Sequence, residues 1–260
     1  MPAPEDDLRL LEDAARQAGE IAMRFWRRDP QIWDKADNAG PVTEADLAVN
    51  AHLEQVLRGA RPDYGWLSEE SEADPSRLDA ERCFIIDPID GTRAFIDGQE
   101  GFSHSLAIAT GDRITAAAVY LPAQGVIYTA HADGPALKDG RPIAASQRDQ
   151  IRDATVLTYR AATEPQHWKQ GRVPAFRREF RPSLAWRLCL VAEGRFDAAL
   201  SLRAAWEWDI AAGTLIAARA GAVASDRLGR PLRFNGPRAA VDGMIVAGPS
   251  LHRQLADSLG

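Results

Sequence analysis

Apolar residues recur at helical spacing over residues 5–27, where Leu8, Leu11, Ala15, Ala18, Ala22 and Phe25 share one face. That period predicts an amphipathic helix. Thr43 to Leu57 repeats the pattern with Val49, Leu53, Val56 and Leu57. Thr43 or Asp46 can cap this second helix, because short polar side chains accept the unpaired amides of a first turn. The period then changes. Cys83-Phe84-Ile85-Ile86 is a short continuous apolar run bounded by Pro88, which predicts a buried strand. Ser105 to Ala109, Ile114 to Leu121 and Gly125 to Ala130 predict further strands joined by Gly and Pro turns. Lys138-Asp-Gly-Arg carries the chemistry of a tight type I′ turn.

Around residue 150 the pattern shifts again. Strands are predicted at Ala154 to Tyr159, Phe196 to Leu202, Ala222 to Ser225 and Gly243 to Val246. Helices are predicted at Trp186 to Ala192 and Asp209 to Ala220, the second rich in alanine. The expectation is a strand-rich α+β half over 1–150 and an α/β half over 151–260, packed as one compact unit. At 260 residues the chain can bury a substantial core.

The charge of −6 argues against an extended surface for a nucleic-acid polymer. No apolar run approaches a membrane span, and no signal-like run follows the acidic start, so a cytoplasmic enzyme is expected. Cys83 and Cys189 lie far apart inside apolar runs and read as core residues, without the partners of a nucleophile or zinc site.

The chemistry is concentrated in Asp87-Pro-Ile-Asp-Gly-Thr, directly after the buried run. Asp87 and Asp90 stand where the chain breaks, and Gly91 with Thr92 lets the backbone approach an anion closely. Carboxylates beside exposed amides suit hard cations and the phosphate those cations hold. Glu69 lies upstream in Leu67-Ser-Glu-Glu-Ser, Asp46 in Pro41-Val-Thr-Glu-Ala-Asp, and Asp209 in Glu207-Trp-Asp-Ile-Ala-Ala-Gly. Each sits near the start or end of a regular element, where side chains can converge on a cleft. Taken alone, the Asp87 segment could be a strand-ending turn, and Asp46 or Asp209 a helix cap.

These four segments, in this order, resemble the inositol monophosphatase superfamily of magnesium-dependent, lithium-sensitive phosphatases. Its hallmarks are Asp-Pro-x-Asp-Gly-Thr in the first half and Trp-Asp-x-Ala-x-Gly in the second. The resemblance implies a layered αβαβα sandwich and two or three Mg2+ ions in the site. It implies that Glu69, Asp87 and the carbonyl of Ile89 bind one ion, and Asp87, Asp90 and Asp209 a second. A weaker third would sit near Glu69 and Asp46, with Lys35 close by. The amides of Gly91 and Thr92 would hold the phosphate, while Thr92 and Asp46 orient the attacking water. The partner is then a small phosphorylated metabolite, and a homodimer is expected because the family is often dimeric.

Cys189-Leu-Val-Ala-Glu-Gly followed by Glu207-Trp-Asp is similar to the 3′(2′),5′-bisphosphate nucleotidase branch. Arg187 stands where that branch carries a lysine, and a cation there could pair with a second phosphate on the substrate. Leu202 replaces a glutamate that contacts the ring in animal-type inositol phosphatases. In the other direction, Arg203-Ala-Ala-Trp departs from the nucleotidase pattern, and Thr92-Arg-Ala-Phe-Ile is similar to histidinol-phosphate phosphatases. The expected substrate is 3′-phosphoadenosine 5′-phosphate, with inositol 1-phosphate and histidinol phosphate as alternatives. The non-enzymatic alternative is a regulator that binds metal and a phosphorylated ligand.

Other polar residues receive plainer readings. Glu70, Glu72 and Asp74 are expected to be solvated. Arg177, Arg178 and Arg181 read as a solvated face, with a phosphate contact as the minor alternative. Trp66 and Trp186 could border a pocket, and His104 reads as a packed or surface histidine.

Overall fold

The computed structural model describes residues 2–35 and 40–260. Helix α1 (Pro4–Phe25) starts on a proline, whose fixed φ suits a first turn, and carries Glu5, Asp6 and Asp7 where the helix dipole favours acids. It buries Leu8, Leu11, Ala15, Ala18 and Ala22, as the spacing predicts. Helix α2 (Glu44–Ala60) opens with a reciprocal cap: Thr43 is the N-cap and Asp46 returns the bond. Both readings of the cap therefore hold at once.

Both helices lie on one face of a seven-stranded sheet that runs in order through Gly65–Ser68, Arg82–Asp90, Ser103–Thr110, Arg113–Leu121, Val126–His131, Leu137–Lys138 and Arg141–Pro142. All neighbours are antiparallel except the first pair. The period of two divides the central strand. Phe84 and Ile86 meet α1 and α2, while Cys83 and Ile85 face the other way. Asp139 and Gly140 both have positive φ, as a type I′ turn requires.

A short helix, α3 (Thr92–Ile96), follows the central strand. Its five residues are too few for a period to register in the sequence. Helices α4 (Leu184–Ala192) and α5 (Glu207–Arg219) cover the sheet's second face and are apolar nearly all round. Their other side meets a five-stranded sheet, ordered Arg177–Glu179, Thr155–Leu157, Ala198–Ser201, Met244–Ala247 and Val223–Ser225. Helix α6 (Pro249–Ser258) closes the far side with Leu251 and Leu255. The sequence reading stopped short of α6, which offers only those two strong apolar anchors.

Five layers result: α1 and α2, the large sheet, α4 and α5, the small sheet, and α6. This is the αβαβα sandwich that the resemblance implied. Among the described residues no helix is long and apolar enough to cross a membrane. Both cysteines are buried and free.

Candidate active site

The central strand does not stop at Ile86, as Pro88 suggested, but continues to Asp90. Its register against the next strand slips: Asp87 pairs with Ser105 and Asp90 with Ser103. Residues three apart on a regular strand point to opposite faces. The extra residue of the bulge turns both carboxylates toward the same cleft and leaves room for the proline. His104 fixes the bulge from behind. It is fully buried, its Nδ1 donates to the Pro88 carbonyl, and burial lowers its pKa to about 4, so it is neutral. The packed reading of His104 is the right one.

Gly91 has φ +96°, and an added Cβ would meet the Gly101 carbonyl oxygen at 3.3 Å. That backbone turns Thr92 into α3. The Thr92 hydroxyl lies 3.3 Å from Asp46 Oδ1 and 3.1 Å from the Ile89 carbonyl oxygen. Asp46 is held by its cap, accepting the Thr43 amide at 2.9 Å through Oδ2. Burial, opposed by the Thr43 hydrogen bonds, raises its pKa to about 6.

Glu69 follows the edge strand, where its amide donates to the Ile86 carbonyl at 3.2 Å. Asn50 secures this loop by accepting from Ser68 at 2.7 Å and donating to Ser71 at 3.0 Å. Trp66 is spent there too, donating to Ser71 at 2.9 Å, and lies in the core instead of at the cleft. Lys35 Nζ stands 2.6 Å from both Glu69 and Glu70. Its pKa is raised because the two carboxylates outweigh its burial. Glu70 corrects the solvated reading: its side chain is 5% exposed, and burial raises its pKa to about 7. Glu72 and Asp74 are exposed as expected.

Asp209 comes from the first turn of α5 and reaches Glu69 and Asp87, the three offering oxygens within 4.8 Å of one another. Asp90 lies beside them, its Oδ2 accepting from Ser183 and the Ala185 amide, each at 2.6 Å. Burial pushes Asp87 and Asp209 well above the carboxylate range, and the crowding of Glu69 and Asp90 adds to it. Asp87 Oδ1 is buried without a hydrogen-bond partner among the described residues. Oxygen-only donors, mutual repulsion and an orphaned buried oxygen together fit a hard divalent cation.

Above this floor opens a cleft of about 810 Å³. Glu69, Asp90, Gly91, Thr92 and Asp209 line it, together with Arg93, Phe180, Arg181 and Pro182. Arg187 does not line it. Its Nε donates to the Arg181 carbonyl, its Nη2 to the Pro182 carbonyl at 3.2 Å, and its guanidinium lies under the Phe180 ring. Leu202 is buried away from the cleft beside Ala204 and Arg227. Phe180 escaped the sequence reading because it sits inside an arginine-rich stretch that resembles a solvated face. Arg177 and Arg178 are indeed exposed, whereas Arg181 is half-buried and lines the cleft, its guanidinium over the Phe196 ring.

The inositol monophosphatase family profile matches residues 4–259. A histidinol-phosphatase of Chlorobaculum parvum is 30% identical, over 98% of this chain and 96% of that one. The 3′(2′),5′-bisphosphate nucleotidase CysQ of Escherichia coli K12 is 32% identical, over 85% of this chain and 90% of its own. In the same fold, an IMPase of Thermotoga maritima superposes with a TM-score of 0.83 at 24% identity, covering 97% of this chain and 96% of that one.

Proposed function

The chain belongs to the inositol monophosphatase family, a family of phosphatases, and we propose that within it this enzyme removes one phosphate from 3′-phosphoadenosine 5′-phosphate with magnesium. The gathered carboxylates and the Thr92–Asp46 contact favour an enzyme over a purely regulatory member of the family. The observation that carries the magnesium reading is the convergence of Glu69, Asp87 and Asp209 within 4.8 Å beside the Gly91–Thr92 turn. Asp87 would be shared by two ions. Glu69 and the Ile89 carbonyl would complete one set, Asp90 and Asp209 the other, and Glu69 with Asp46 would offer a weaker third place. When bound, magnesium supplies positive charge to the phosphoryl oxygens and makes water more acidic.

The chain's own groups then set the geometry. The Thr92 hydroxyl has one proton, and Asp46 Oδ1 and the Ile89 carbonyl are its acceptors. Its oxygen keeps a lone pair that can accept from water and aim it at phosphorus. Asp46, ionised above about pH 6, keeps the hydroxyl in that role. Gly91, at a positive φ that glycine adopts without strain, would present its amide and that of Thr92 to the phosphate.

The nucleotide part of the proposal is supported by two arginines. Arg93 and Arg181 both line the cleft. Arg93 is exposed next to Thr92, while Arg181 packs over Phe196 and donates to the Phe180 carbonyl with N–H groups to spare. Two such cations beside an acidic floor suit a second phosphate, which a monophosphate lacks. Phosphate release from 3′-phosphoadenosine 5′-phosphate, inositol 1-phosphate and histidinol phosphate, each with magnesium and with EDTA, tests the whole reading. The nucleotide is expected to be preferred at least about tenfold, and only with magnesium. Preference for either other ester overturns the nucleotide assignment. Undiminished turnover in EDTA overturns the metal assignment.

A further inference from the structure

Phe180 is 47% exposed, yet one face of its ring is taken. The Arg187 guanidinium sits 4.3 Å from the ring centroid, which is cation–π distance. Arg187 is itself only 8% exposed, rising from α4 beneath the cleft wall. Its Nε and Nη2 each donate to a backbone carbonyl, those of Arg181 and Pro182, which fixes the guanidinium plane against the ring. The segment Phe180-Arg181-Pro182 is therefore held from below by one buried cation.

Nothing in the core requires a phenyl ring at this place. Water-facing aromatic surface on a catalytic cleft is unfavourable until a ligand covers it. Here one face of the ring is covered by a cation, and Phe180 lines the space shared with Glu69, Asp90 and Asp209. A ring backed by a cation is a suitable surface for an electron-rich planar heterocycle, whereas a saturated polyol gains little from it.

We propose that Phe180 is the platform on which the base of a nucleotide substrate stacks, and that Arg187 is a positioning residue that presents this ring and does not itself touch the substrate. The proposal deepens the nucleotide reading above and rests on it. It also gives Arg187 a different task from the phosphate contact that the sequence suggested.

The test compares kcat/KM for 3′-phosphoadenosine 5′-phosphate and for inositol 1-phosphate in the wild type, Phe180→Ala, Phe180→Trp, Arg187→Gln and the Phe180→Ala/Arg187→Gln double variant. Phe180→Ala is expected to lower the ratio of the two values about tenfold, mainly through KM for the nucleotide, and Phe180→Trp to restore it. Arg187→Gln should lower the same ratio, and the double variant should fall no more than about twofold below Phe180→Ala. An unchanged ratio in Phe180→Ala overturns the platform. Full additivity in the double variant overturns the positioning role and returns Arg187 to an independent contact.

Inhibition by AMP, measured on whichever ester the wild type cleaves best, separates this proposal from the substrate assignment. A wild type that prefers another ester, yet binds AMP about tenfold tighter than Phe180→Ala does, loses the substrate reading and keeps the platform. A wild type that AMP does not inhibit loses the platform.

Discussion

The strand Arg82–Asp90 has buried carboxylates at both ends, and the two ends treat them in opposite ways. At its start, Asp7 of α1 is fully buried but complete. It accepts from Arg82 at 2.8 Å, Arg61 at 3.0 Å and the Tyr64 hydroxyl at 3.0 Å. At its finish, Asp87 faces Glu69, Asp90 and Asp209, and one of its oxygens has no partner among the described residues. Burial of a charge is tolerable when opposite charge and hydrogen bonds come with it. The first end carries its cations in the chain and ties helix to strand. The second gathers like charges whose only ion pair among the described residues is that of Lys35 with Glu69, an arrangement that fits a cation from solution and serves chemistry more than stability.

The largest effect that would sharpen this contrast is on turnover. Asp90→Asn or Asp209→Asn should lower kcat by about 1000-fold, because a cation's charge stabilises the reaction only where it is held. Melting of the metal-free variants should be no lower than wild type, since a repulsive partner has gone. Near-normal phosphate release from either variant would break the metal assignment.

Asp7→Ala should do the reverse. Removing one member of a buried ion cluster strands the others, at a cost of about 3–5 kcal/mol, while kcat of the folded fraction stays at the wild-type level. Thermal melting with assays below the transition separates the two. A collapse of kcat without loss of stability would mean that the two ends are not distinct.

Thr92→Ala should cost about 100-fold in kcat and little in melting temperature, the size expected for a group that positions a transferring proton. Loss confined to KM would remove Thr92 from that role.

The smallest effect is pH-linked. Burial pushes Asp46 and Asp90 up to about 6 and Glu70 up to about 7. Without a cation the folded protein keeps protons that an unfolded chain releases near pH ~4. Stability held below that point is therefore lost as pH rises through 6 and 7. Magnesium favours the ionised forms, so the melting-temperature gap between magnesium and EDTA should widen by about 5 °C across this window. A gap constant with pH would show that these carboxyls do not carry the metal response.

Much of the fold could be read from local pattern. The face of α1, the capped start of α2 and the turn at Asp139-Gly140 follow from spacing and residue type within a few positions. Every carboxylate proposed for the site was also legible, because Asp87, Asp90, Glu69, Asp46 and Asp209 lie in recognisable segments. Where the reading failed, the deciding partner was far away in sequence. Glu70 looks solvated until Lys35, thirty-five residues earlier, closes on it. Pro88 looks like a strand end until the bulge and His104 accommodate it.

The sequence by itself determined which chemistry is available here: hard oxygen donors, a glycine turn beside them, and an amphipathic pattern able to bury the elements that hold them. Those are properties of residue types and short spacings, which local sterics and periodicity convert directly into structure. Only the tertiary structure decided which groups share the cleft. The bulge turned Asp87 and Asp90 to one side, α5 brought Asp209 to meet them, and packing turned Arg187 away from the cleft and under Phe180. The first two choices depend on contacts between residues more than ten to more than a hundred positions apart, which no local signal specifies. Arg187 is held by partners five to seven positions away, whose loop conformation has no periodic signature.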